Sequence, residues 1–97
     1  MNNIIVKFKH YGTAIPIDSS TVVGTQGLSV YRITPAELLL ETECSLLDNG
    51  RFNVVLLTEE FNLVSLYRVY VNKEDSKIVK DLMGNPLEEQ FMEFGGV

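Results

Sequence analysis

The chain has 97 residues, 45% hydrophobic and 22% charged, with a formal net charge of −5. That length suits one domain over residues 1–97, with a core large enough to form without metal or disulfide. A single cysteine, Cys44, excludes an internal disulfide, and the acidic balance argues against broad nucleic-acid binding, which is built on phosphate neutralisation.

The opening, MNNIIVKFKHYG, has no long apolar run and reads as neither a signal peptide nor a membrane anchor. No later segment reaches the roughly 18 apolar residues of a membrane helix, so no membrane insertion and a cytoplasmic setting are expected. Residues 4–9, IIVKFK, fit a short strand or an arm. Residues 13–23, TAIPIDSSTVV, favour β structure, with Pro16 better suited to an edge than a sheet centre. Gly24 and Gly27 bracket a turn. Residues 28–33, LSVYRI, alternate, with Leu28, Val30 and Arg32 on one face and Ser29, Tyr31 and Ile33 on the other.

Residues 33–50, ITPAELLLETECSLLDNG, fit two periods. Thr34, Pro35 and Glu37 are arranged as a cap, a first helical residue and a capping box. The same residues also fit one strand of a small barrel followed by a turn at Asp48-Asn49-Gly50. Helix propensity favours the first alternative, and tertiary context often overrides propensity, so the residues alone leave both open.

Residues 52–58, FNVVLLT, read as a buried strand, and Glu59–Asn62 as a turn anchored by Phe61. Residues 63–72, LVSLYRVYVN, are a second long β-favouring run, closed by the polar turn Lys73-Glu74-Asp75-Ser76. Residues 77–82, KIVKDL, fit a short strand or a helix start. In the tail, Asn85 suits a cap, Pro86 a first helical position and Gly95 a stop, with Leu87, Phe91 and Phe94 on one stripe at i, i+4 and i+7. This spacing predicts a helix over about 86–94. Five or six short strands with one late helix is the pattern of a small antiparallel barrel or sandwich.

Residues 32–57, RITPAELLLETECSLLDNGRFNVVLL, resemble the centre of a PilZ domain, in which a D/N-x-S-x-x-G motif leads into an apolar strand. Thr34 stands at the Ser position, Leu38-Leu39-Leu40 begins the strand and Gly50 closes the next turn. The layout of residues 66–94 is similar too, and the likeness of pattern spans roughly 13–94. The resemblance implies a mainly β fold: a six-stranded antiparallel PilZ-like barrel with a short C-terminal helix, and strands over 37–43 and 77–82. It also implies a bacterial second-messenger setting with cyclic di-GMP as ligand. The departures bear on that ligand. The R-x-x-x-R motif whose forked guanidinium groups grip guanine edges and phosphates is missing. Arg32 stands where Asp or Asn is expected, and Glu37 where Gly is expected.

Two readings follow. The first is a non-enzymatic, degenerate PilZ-like module acting through protein contacts, with another protein or a second copy of itself as a homodimer. The second is a cyclic di-GMP receptor with a non-standard basic site built from Lys7, Lys9, His10, Arg32 and Thr34. The blander alternative for these residues is a solvated N-terminal strand for the Lys7/Lys9/His10 group and a strand cap or ion pair for Arg32. An unrelated SH3-like or OB-like barrel that binds a peptide is a further alternative. Leu87, Phe91 and Phe94 either dock on the domain itself or meet a partner. No constellation of nucleophile, base and orienter exists, so no catalytic residues, metal site or resident cofactor are expected.

Overall fold

The computed structural model describes residues 2–10, 13–22, 27–46, 53–58, 60–62 and 64–96. The expected turns at Gly24–Gly27 and Asp48–Gly50 fall largely or wholly outside these residues. Among the described residues the fold is mainly β, and no helix is long and apolar enough to cross a membrane.

The described residues form nine strands in chain order: β1 (Asn2–Lys7), β2 (Lys9–His10), β3 (Thr13–Ala14), β4 (Leu28–Arg32), β5 (Leu38–Leu40), β6 (Glu43–Leu46), β7 (Asn53–Thr58), β8 (Leu66–Val71) and β9 (Gln90–Gly95). They form a three-stranded sheet ordered β1-β7-β6, a four-stranded sheet ordered β5-β4-β8-β9, and the small β2–β3 hairpin, all antiparallel.

Period-two alternation explains the central strands. Leu28 and Val30 of β4 are buried, as are Tyr67, Val69 and Val71 of β8, while the residues between them are half-buried. The register sets Leu28 opposite Val71 and Val30 opposite Val69, so one face of the sheet is continuously apolar. Val54 and Leu56 of β7 supply the facing layer, joined by Ile4 and Val6 of β1 and by Cys44 of β6. Phe8, Ile17, Val22 and Val79 complete the core.

The disputed leucine triplet is extended. Leu38, Leu39 and Leu40 pair with Arg32, Tyr31 and Val30, and Leu40 packs against the core. Only Glu41 and Thr42 separate β5 from β6, so the chain changes sheets at this corner. The ladder to β4 outweighs the helix propensity of the leucines. The Thr34–Pro35 peptide bond is cis.

Three expectations are corrected. Among the described residues the strands do not close into a six-stranded barrel: the chain passes between the sheets at the corner of edge strands β5 and β6, and β1 and β9 are the opposite edges, each paired on one side only. The predicted helix over 86–94 is absent, and β9 pairs with β8 from Gln90↔Val71 to Gly95↔Leu66. A lone nine-residue helix is marginal, and the apolar, unpaired edge of β8 offers a full ladder instead. Asn85 caps no helix; its backbone N–H donates to Asp81 Oδ1 at 2.9 Å. Gly95 does end the segment, at φ 86°, where a Cβ would collide with the Ser65 carbonyl oxygen.

The strand expected over 77–82 is reduced to isolated bridges, Ile17↔Asp81 and Lys80↔Pro86. Asn72 is the cause. Fully buried and left-handed at φ 52°, it donates from Nδ2 to the carbonyls of Val79 (3.1 Å) and Leu87 (2.7 Å). Its Oδ1 accepts from the N–H groups of Ile78 (3.1 Å) and Val79 (2.8 Å). These bonds use backbone groups that a ladder would need.

Candidate functional site

The edges left free at β1 and β9 face each other across a groove of about 980 Å³. Its walls include Ile4, Val6, Met92 and Phe94; Val69 and Val71 line it from within, and Leu82 and Leu87 lie at one end. It is the open seam of the sandwich, on the side away from the β5–β6 corner.

The seam leaves an inward position uncovered. Residues of β9 opposite the buried row of β8 belong to the core-facing side, and Phe94, opposite Tyr67, behaves accordingly: it stacks on Tyr67 at 5.3 Å and meets Phe61 edge-on at 5.2 Å. Met92, opposite buried Val69, lies on the same row and is 76% exposed. Across the seam, Ile5 of β1 is 51% exposed. The backbone hydrogen bonds of β9 among the described residues are those of its ladder with β8.

Lys7 and Lys9 flank buried Phe8, so both stand on the outer side of β1–β2, and both line the groove. Neither forms an ion pair among the described residues. Of His10 only the backbone, paired with Thr13 in the β2–β3 hairpin, is described.

Arg32 and Thr34 are not part of the groove lining. Arg32 ends β4, opposite Leu38 and Tyr67, with a buried Nε that has no hydrogen-bond partner among the described residues; the hydroxyl of buried Thr58 likewise has none among them. The expected strand-end ion pair for Arg32 is absent among the described residues. Thr34 Oγ1 accepts from the Leu66 N–H at 2.8 Å, and the Leu66 carbonyl accepts from Ile33 at 2.6 Å, so Thr34 braces the turn against β8. Of the five residues proposed for a basic site, Lys7 and Lys9 thus lie at the seam, His10 in the β2–β3 hairpin, and Arg32 and Thr34 near the start of β8.

The expected Leu87/Phe91/Phe94 stripe also divides. Phe91 and Phe94 are three apart, an odd spacing that puts them on opposite faces of a strand. Phe91 lies on the outer face of the four-stranded sheet, beside Tyr70 at 5.7 Å and beneath the Arg68 guanidinium at 4.7 Å. Leu87 packs against the core and donates its N–H to the Val79 carbonyl at 2.9 Å.

That outer face satisfies itself. Arg68 donates to the Tyr70 hydroxyl (3.0 Å) and to Glu93 (2.8 Å), which holds its guanidinium above its usual value. Lys73 lies over Tyr31 at 4.5 Å, and Tyr31 meets Tyr70 edge-on at 5.4 Å. Burial pushes the half-buried Cys44 thiol up, away from the reactive thiolate. No group of three or more His, Cys, Asp or Glu able to hold a metal occurs among the described residues.

Met92 and Ile5 are absent from the sequence-level candidates. The signal for Met92 was present in QFMEF, which alternates with Phe91 and Glu93 on one side and Met92 and Phe94 on the other, but a helical period also fitted the tail. No family model, curated protein or solved structure matches the chain.

Proposed function

We propose that this chain is a non-enzymatic interaction module that contacts another protein through the seam between β1 and β9. One observation carries the reading: Met92 belongs to the core-facing row and is left 76% exposed, beside a groove of about 980 Å³. Apolar surface next to an unpaired strand edge is a cost that isolated domains avoid by shortening, charging or covering the edge, and a partner that covers it removes that cost.

A PilZ-like identity in bacterial second-messenger regulation, within the cytoplasm, is the narrower form of this proposal. The extended leucine triplet and Thr34 in the turn before it support it. The missing R-x-x-x-R shifts the weight from nucleotide to protein contacts. Cyclic di-GMP binding through Lys7, Lys9, His10, Arg32 and Thr34 is less favoured, because Arg32 and Thr34 lie outside the groove that Lys7 and Lys9 line.

A photo-crosslinking residue at Met92 tests the reading in the native cell. Covalent capture of a protein from Met92, with none from a crosslinker at exposed Leu38, is expected. Absence of capture at Met92, or micromolar cyclic di-GMP binding in isothermal titration, overturns it.

A further inference from the structure

Resting on the seam as a protein-contact surface, we infer that its partner is a second copy of this chain, joined β9 to β9 about a two-fold axis at Met92. The phase of the ladder comes first. In an antiparallel pair alternate residues turn their N–H and C=O groups toward one neighbour and the remainder toward the other. On the β4 side, Ile33 donates to the Leu66 carbonyl at 2.6 Å and Asn72 to the Gly27 carbonyl at 2.8 Å, so the even-numbered residues of β8 serve β4 and Tyr67, Val69 and Val71 serve β9. Their partners Phe94, Met92 and Gln90 are thereby bonded, and Gly96, which donates to the Ser65 carbonyl at 2.8 Å, keeps the same phase. Phe91 and Glu93 are left to turn their backbone groups toward the open edge.

A strand that pairs with its own copy about a two-fold axis must be complementary to itself. Glu93 is the charged residue of β9. Of the registers in phase with Phe91 and Glu93, the one centred on Glu93 opposes two Glu93 carboxylates, and the one centred on Phe91 opposes Glu93 and Glu89; like charges directly opposite destabilise a sheet. Centring on Met92 sets Phe91 against Glu93 of the second copy in hydrogen-bonded pairs, and no charge of β9 against its like. Each Glu93 then arrives beside a Phe91 ring that lies beneath Arg68 at 4.7 Å. On the inward row the two Met92 side chains, each 76% exposed in one copy, cover each other.

The charge around the groove favours the same occupant. Lys7 and Lys9 line it together with Asp81 and Glu88, and none of the four forms an ion pair among the described residues. An acidic partner leaves the two carboxylates unmatched and a basic one leaves the two lysines, whereas a second copy brings both signs in equal number. The result is one continuous antiparallel sheet in which the order β5-β4-β8-β9 is followed by its mirror sequence from the second copy.

The test uses the full chain. Sedimentation from micromolar to millimolar concentration is expected to show a monomer–dimer equilibrium. Met92→Asp, at an exposed position, is expected to weaken it roughly tenfold or more by opposing two carboxylates, at an unchanged thermal midpoint under dilute, monomeric conditions. In hydrogen exchange the amides of Phe91 and Glu93 are expected to gain protection with concentration, while those of Met92 and Phe94, bonded to β8, are protected throughout. With Cys44→Ser in place, Met92→Cys is expected to close a symmetric disulfide under added oxidant, and Phe91→Cys and Glu93→Cys to remain thiols. A monomer at every concentration overturns the inference. So does a dimer whose Phe91 and Glu93 amides stay unprotected, which is apolar contact without a ladder, or one that crosslinks through Glu93→Cys in place of Met92→Cys. If the chain stays monomeric while Met92 crosslinks a different protein in the cell, the second copy falls and the interaction module stands; if neither occurs, both fall.

Discussion

The irregular segment after β8 and the regular strand β9 contrast in an unexpected direction. Residues 72–87 contain left-handed residues at Asn72, Glu74, Asp75 and Lys77 and no ladder, yet Asn72 draws the backbone of Ile78, Val79 and Leu87 into one buried, hydrogen-bonded hub. β9 has ideal alternation and a complete ladder on one side, and it ends the sheet with an apolar side chain uncovered. The difference teaches that structural completeness lies in the satisfaction of polar groups and the covering of apolar ones, and that regular secondary structure guarantees neither.

The contrast is sharpest at Asn72. Asn72→Ala removes both carbonyl and both N–H partners from a buried site and leaves alanine in a left-handed conformation, so a loss of about 4 kcal/mol is expected by urea denaturation. A loss below about 1 kcal/mol would mean that the hub does not organise the segment. Next come two apolar truncations. Leu56→Ala, in the sealed layer between the sheets, is expected to cost about 3 kcal/mol. Met92→Ala, on the same inward side of the fold but at the open seam, is expected to cost less than about 0.5 kcal/mol. Equal costs would break the comparison by making the seam part of the core.

The smallest effect belongs to Asp81, at the end of the Asn72-organised segment. A backbone hydrogen bond from Asn85, with further bonds from the Asn85 side chain and from Met83, holds its carboxyl below the usual value. A lowered carboxyl contributes stability that is fully present above the unfolded-state value and is lost as pH falls through the lower folded-state value. Asp81→Ala is therefore expected to differ from the parent at pH 6 and to converge on it in the acid range. A gap that stays constant with pH would remove the electrostatic part of this account.

Much of the β framework was legible in the sequence. β4, β7 and β8 announce themselves through alternation or β-branched runs, because the burial of Leu28, Val30, Val69 and Val71 follows from the period of an extended chain. The Lys7/Lys9 pair was legible as a basic group, and its place beside an apolar groove was not, since β1 and the residues that line the other wall lie far apart in the chain. Asn72 was invisible for a related reason: nothing near an Asn-Lys pair says whether the asparagine meets water or the backbone of residues 78–87.

By itself the sequence determined that the chain is mainly β, which residues of the central strands face inward, and that it offers no disulfide. Only the tertiary structure decided that Leu38–Leu40 lie extended, that Gln90–Gly95 form an edge strand, and that the two sheets stay open between β1 and β9. The physical reason is that alternation is a property of neighbouring residues, whereas each of these three outcomes depends on a hydrogen-bonding edge supplied, or left unsupplied, by a distant part of the chain.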